Sequence, residues 1–155
     1  MEESLVVDFA ATVGVAMIPV LELRAALPFG LALGLSPGMA YIASVLGNLI
    51  PIPAIMLFLR SLFQWLRRWP WWERKINWLE TRAHRKGRII QKYSLPGLVL
   101  LVAIPLPGTG AWTGALVATI LNMRIRVALP LIFLGVLIAG CIMLAVSYGV
   151  IQLWF

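Results

Sequence analysis

Two charged residues inside an apolar stretch are the clearest candidates for chemistry in this sequence. Glu22 and Arg24 lie between the apolar stretches 18–21 and 25–28. A charge at the centre of a bilayer costs about 2.5–3.5 kcal/mol on insertion scales, so such residues normally have partners and often carry function. Since residues two apart on a regular helix do not face each other, Glu22 and Arg24 should have different partners unless the backbone is unwound here.

A second stretch with special backbone properties could supply one of those partners. The segment Pro107-Gly108-Thr109-Gly110 should leave backbone amides free, and the helix expected after it has a positive N-terminal end. This end could hold Glu22 or a substrate anion. We therefore predict a substrate or coupling site consisting of Glu22, Arg24, Asn48, Pro107, Gly108, Thr109, Gly110 and Thr113.

Two roles remain open for the charged pair. In the first, Glu22 takes up and releases a proton while Arg24 holds an anionic group such as phosphate. In the second, both belong to a structural network that fixes a helix hairpin or a subunit interface. Asn48 has a simpler default, a hydrogen bond between helices.

Several classes of site are missing from the sequence. Cys, His, Asp and Glu never cluster at the spacing of metal ligands, and no glycine-rich phosphate loop or nucleophile–base pair is visible. His84 and Cys141 are the only residues of their types. We therefore expect no metal, no cofactor and no enzymatic activity.

Composition places the chain in a membrane. Of its 155 residues, 61% are hydrophobic and only 12% are charged, whereas soluble domains carry about 25% charged residues. A helix needs roughly 20 apolar residues to cross a bilayer. Three of the four long uncharged runs exceed that length; the runs are 9–21, 25–59, 93–123 and 127–155. We expect one membrane domain, 1–155, that crosses the inner (cytoplasmic) membrane several times.

The basic residues are concentrated in one segment. Residues 60–92 hold ten of the thirteen lysines and arginines, which predicts that this segment is cytoplasmic. A basic patch can also bind nucleic acid, but here tryptophans are interleaved with it, which favours anionic lipid. We expect amphipathic helices, split near Trp69-Pro70, at a lipid interface formed by Trp65, Arg67, Arg68, Trp69, Trp71, Trp72 and Trp78.

The regions on either side of the basic segment match each other weakly. Ile18-Pro19 aligns with Ile104-Pro105, and Ser44-Val-Leu-Gly47 aligns with Ile132-Phe-Leu-Gly135. We predict an all-α integral membrane protein with two inverted repeats, 5–59 and 93–155, joined by the amphipathic segment 60–92. Each repeat would be a re-entrant broken-helix hairpin followed by a transmembrane helix, at 39–59 and 127–147. The predicted helix breaks are Pro19, Pro28, Pro105 and Gly114; ordinary kinked helices are the alternative.

The block Pro19-Val-Leu-Glu22-Leu-Arg24-Ala-Ala-Leu-Pro28, with Gly47-Asn48 and Pro105-Leu-Pro107-Gly108-Thr109-Gly110, resembles the small multidrug export protein family. That family is in turn distantly similar to DedA membrane proteins, which share two re-entrant hairpins packed against spanning helices and are linked to lipid movement across the bilayer. The resemblance implies a transporter-like fold. Unlike the DedA pattern, the second half of this chain has no acidic residue, so Glu22 stands alone.

Two functions follow as expectations. The first is a small secondary transporter or flippase that moves an anionic lipid or amphiphile, or exports a small molecule, with protons as an optional coupling ion. The second is a non-transporting scaffold or assembly factor that binds lipid or a partner through the basic segment. Because about four hydrophobic units can barely enclose a pathway, we also expect a homodimer.

Overall fold

In a computed structural model of the protein, the described residues are 2–85, 87–106 and 109–154, with side chains described except at 2, 79–80, 82–94 and 150–154. Every regular element in these ranges is an α-helix, which confirms the predicted all-α class. In chain order they are α1 (Glu2–Met17), α2 (Glu22–Ala32), α3 (Pro37–Leu49), α4 (Ile52–Leu66), α5 (Pro70–Arg85), α6 (Gly87–Ala103), α7 (Ala111–Ile120) and α8 (Ile125–Trp154).

Two stretches among the described residues are long and apolar enough to cross a membrane. They are Pro37–Leu66, which comprises α3 and α4, and Ile125–Gly149 within α8. The predicted helices 39–59 and 127–147 fall inside these stretches. A short turn at residues 50–51 interrupts the first stretch and separates α3 from α4. Pro51 has no backbone N–H, so it cannot continue the hydrogen-bond ladder of α3.

Two of the four predicted helix breaks, Pro19 and Pro105, lie at interruptions between helices. Pro19 lies in the turn between α1 and α2, and Pro105 lies between α6 and α7. The predictions at Pro28 and Gly114 were wrong, since both residues lie inside helices, α2 and α7. Neighbouring helices can support a helix around a proline in a membrane protein. Gly114 serves close packing instead, because a Cβ there would lie 2.6 Å from Cγ2 of Val102.

The two halves of the chain pack across each other. Within the first half, α1, α2 and α3 contact one another, and within the second, α6, α7 and α8 do the same. Between the halves, α2 packs against α8, and α7 packs against α4. The buried residues Leu23 and Leu27 of α2 therefore share one core with Ile132 and Val136 of α8.

The basic segment begins within α4, at Arg60. α5 starts at Pro70, so the predicted split near Trp69-Pro70 is confirmed. The guanidinium of Arg60 donates a hydrogen bond to the carbonyl of Met123, which brings the end of α4 beside the start of α8. The lipid-interface side chains predicted from the sequence are all exposed: Trp65, Arg67, Arg68, Trp69, Trp71, Trp72 and Trp78.

Candidate functional site

Glu22 is the first residue of α2 and lies against the start of α7. Its backbone adopts a left-handed conformation, with φ of 47°, and only 6% of the residue is exposed. One carboxylate oxygen, Oε1, accepts a hydrogen bond from the backbone N–H of Trp112 at 3.2 Å. The first N–H groups of a helix have no partner within the helix and carry partial positive charge, so a carboxylate there is stabilised.

Gly110 makes this close approach possible. It precedes α7 with φ of 134°, a backbone conformation that only glycine adopts easily. A Cβ atom at this position would collide with the carboxylate of Glu22. The glycine therefore both permits the turn into α7 and leaves room for the acid.

Arg24 contacts the segment between the end of α6 and Gly110. Its Nη2 donates to the carbonyl oxygen and to the hydroxyl of Thr109, both at 2.7 Å, and its Nη1 donates to the carbonyl of Leu106. The Thr109 hydroxyl also lies 2.8 Å from the carbonyl oxygen of Ile104. A planar guanidinium with several fixed donors is suited to hold such a set of carbonyls in one arrangement.

Glu22 and Arg24 thus carry the charges that suit the two ends of the interruption between α6 and α7. Past the end of α6 the chain presents carbonyl oxygens, which accept from the cation, and at the start of α7 it presents amides, which donate to the anion. The last carbonyls and the first amides of a helix have no partner within the helix, so the two side chains satisfy groups that the interruption leaves open.

The other predicted site residues are placed differently. Thr109 and Gly110 join Glu22 and Arg24, as described above, whereas Pro107 and Gly108 lie outside the described residues. Asn48 lies on α3 and is buried, and its Oδ1 has no hydrogen-bond partner among the described residues. The hydroxyl of Ser44, one turn earlier on the same helix, is also buried without a hydrogen-bond partner among the described residues. Neither of these oxygens makes the interhelical hydrogen bond expected by default for Asn48.

Trp112 is a site residue that the sequence analysis missed. Its backbone amide binds Glu22, and its side chain lines a cavity of about 610 Å³ between α4 and α7. Its indole Nε1 is buried without a partner among the described residues. The rest of the described lining is mostly apolar and comprises Ala54, Ile55, Phe58, Leu59, Thr113 and Leu116. Its place two residues after Gly110, a predicted site residue, was the available signal.

In chemical terms, the arrangement offers one carboxylate, one guanidinium and an adjoining apolar cavity. Among the described residues, no group of three His, Cys, Asp or Glu side chains could hold a metal ion. The carboxylate can exchange a proton, and the helix end that it occupies can bind another anion when it leaves. The cavity, at about 610 Å³, is within the range of small-molecule sites.

Comparison with known proteins gives one match. The model of a family described as "Putative small multi-drug export protein" matches residues 22–142 of the chain. This range starts at Glu22 and includes the segments around Glu22 and Gly110. It also contains the apolar stretch Pro37–Leu66 and, as far as residue 142, the stretch Ile125–Gly149. No curated protein and no solved structure matches the chain.

Proposed function

Because the chain belongs to the small multidrug export protein family, we propose that it is a secondary transporter that exports small amphiphilic molecules. The family and the two apolar stretches make it a membrane protein. The observation that carries the proposal is the double contact of Trp112, whose amide binds Glu22 and whose side chain lines the apolar cavity. A change at the carboxylate can therefore reach the place where a substrate would lie.

The proposed coupling uses the proton that Glu22 can accept. When Glu22 is ionised, it binds the start of α7; when it is protonated, it loses its charge and its preference for the helix end. Arg24 is a charged group that acts on Glu22, and residues 104–120, on the opposite side of the contact, contain no titratable side chain. Protonation would weaken the contact between the two interruptions and let α7 move relative to α2.

We also propose that the two halves of the chain are related, and the packing of two glycines at matching positions, Gly47 and Gly135, supports this. A Cβ on Gly47 of α3 would lie 2.7 Å from Cβ of Ala16 on α1 and would also meet the Val13 carbonyl. A Cβ on Gly135 of α8 would lie 2.6 Å from Cβ of Val102 on α6 and 3.0 Å from the Val99 carbonyl. Ala16 is separated from Val102, and Val13 from Val99, by the same number of positions as Pro19 from Pro105 in the sequence match.

The inverted, re-entrant arrangement has separate support. Each short second helix packs against the long apolar stretch of the other half, α2 on α8 and α7 on α4. The contact of Arg60 with the Met123 carbonyl brings the end of α7 back to the basic segment, from which α6 departs. We propose that residues 60–92 are cytoplasmic, that both termini are outside the inner membrane, and that two copies form the functional unit.

The scaffold hypothesis has one specific observation in its favour. Five tryptophans of the basic segment are exposed, and the ammonium group of Lys75 lies 4.0 Å from the ring centroid of Trp71. Exposed indole rings beside cations suit the headgroup layer of an anionic membrane. This surface is compatible with a transporter, so it distinguishes a scaffold only if transport is absent.

The test is transport by the purified chain in liposomes with an imposed pH gradient. The probes are two fluorescent amphiphiles, one anionic and one cationic. We expect gradient-dependent movement of at least one probe by the wild type, loss of that dependence in Glu22→Gln, and no effect of Glu73→Gln. Glu73 is the matched control because it is an exposed carboxylate of α5.

Two results would contradict the proposal. One is a wild-type protein that moves neither probe faster than empty liposomes, which would favour the scaffold. The other is a folded Glu22→Gln variant with the gradient dependence of the wild type, which would remove Glu22 from the coupling.

A further inference from the structure

A second cavity lies at the other end of α7, next to the basic segment. It measures about 440 Å³ and is bounded by α4, α5, the end of α7 and the turn that leads into α8. Three arginines line it, Arg60, Arg67 and Arg124. None of its described lining residues is acidic.

The local structure explains why these arginines meet. Arg60, Gln64 and Arg67 are spaced by four and three residues, so they lie on one face of α4 and its C-terminal cap. Arg124 reaches the cavity from the opposite side, after a turn in which Asn122 is left-handed with φ of 52°. The bond from Arg60 to the Met123 carbonyl ties this turn to α4.

The lining combines cations, neutral hydrogen-bonding groups and apolar side chains. A cavity whose charged lining residues all carry positive charge attracts anionic ligands. Gln64 and Thr119 add uncharged polar groups, while Phe63 and Ile76 add apolar surface. Guanidinium groups match the oxygens of a phosphate through two-point hydrogen bonds. The apolar side chains suit the part of a ligand that enters the bilayer.

We propose that this cavity binds a phosphate group carried by the headgroup of an anionic phospholipid. The site is separate from the one around Glu22, because the two lie at opposite ends of α7, a ten-residue helix about 15 Å long. The proposal does not depend on transport. A lipid held here would contact α4, α5, α7 and the start of α8 at one point. A general attraction of the basic surface for the membrane would not join these helices.

The experiment measures binding by the full chain in a neutral detergent with isothermal titration calorimetry. The ligands are dihexanoylphosphatidic acid, dihexanoylphosphatidylcholine and inorganic phosphate. The variant is Arg124→Gln, and its matched control is Arg126→Gln, because Arg126 is exposed and does not belong to the described lining. A second pair, Arg67→Gln with Arg68→Gln as control, tests α4 independently if the first variant fails to fold.

We expect the wild type to bind phosphatidic acid and to bind phosphatidylcholine far more weakly. Arg124→Gln and Arg67→Gln should each weaken binding of phosphatidic acid on the order of tenfold, since each removes a charge-assisted contact, and the two controls should change it little. Equal affinity for inorganic phosphate and phosphatidic acid would keep the phosphate site but overturn the lipid as its source. Equal losses in each variant and its control, or equal binding of both lipids, would overturn the site.

Discussion

The carboxylate of Glu22 accepts a hydrogen bond from the backbone amide of Trp112, 90 positions further along the chain, at 3.2 Å. Arg24, two residues away from Glu22, reaches Thr109 across 85 positions. These two contacts join the interruption in one half of the molecule to the interruption in the other. Neither contact can form until α2 and the residues around the start of α7 are brought together, so both report on the assembled structure.

Gly110→Ala should destabilise the protein. Alanine at φ of 134° is strained, and its Cβ would displace the carboxylate of Glu22 from the start of α7. We expect a loss of about 1–3 kcal/mol, measured as a lower midpoint of thermal unfolding in detergent. Gly97→Ala is the control, because its Cβ would meet nothing within 4 Å in α6 and should be neutral or slightly stabilising. Equal midpoints for the two variants would contradict the close contact at Gly110.

Arg24 and Thr109 should be energetically coupled. A double-mutant cycle with Arg24→Gln and Thr109→Val should give an interaction energy of about 0.5–3 kcal/mol, because the two variants remove the donor and the acceptor of the hydrogen bond between the guanidinium and the Thr109 hydroxyl. The control cycle pairs Arg24→Gln with Thr119→Val, since the Thr119 hydroxyl binds the Ala115 carbonyl at the far end of α7. A coupling near zero in the first cycle would mean that this side-chain bond does not stabilise the fold.

The matched glycines should respond alike to the same substitution. Gly47→Ala and Gly135→Ala each place a Cβ within 3 Å of a side chain on a neighbouring helix. Both should lose about 1–3 kcal/mol, because the backbones cannot separate without opening the core. Gly149→Ala, with nothing within 4 Å, should have little effect. A loss at only one of the two matched positions would weaken the proposal that the halves are repeats.

Membrane orientation can be tested by labelling single cysteines in intact cells, in a Cys141→Ala background. A cysteine replacing the exposed Glu3 should react with an impermeant maleimide from outside, and one replacing the exposed Arg74 only after lysis. A cysteine at Met123 should behave like the one at Arg74, because Met123 is held by Arg60 beside the basic segment. Labelling of position 123 from outside would overturn the re-entrant arrangement of α6 and α7.

Local sequence signals were sufficient for several features. Composition indicated the membrane class, and Trp69-Pro70 predicted the boundary at which α5 begins. Pro19 and Pro105 indicated the two interruptions, since proline removes a donor wherever it stands. The same rule failed at Pro28, because α2 continues through that residue, which depends on its surroundings and not on the residue type.

What the sequence by itself determined was which residues cannot be left without partners, namely Glu22, Arg24 and the ends of broken helices. Only the tertiary structure decided which of these groups satisfy one another. It placed Glu22 on the amide of Trp112, which the sequence analysis had missed, and gathered Arg60, Arg67 and Arg124 around one cavity. The physical reason is that the need for a partner arises from the residue's own charge and solvation, whereas its partner depends on how segments distant in sequence pack together.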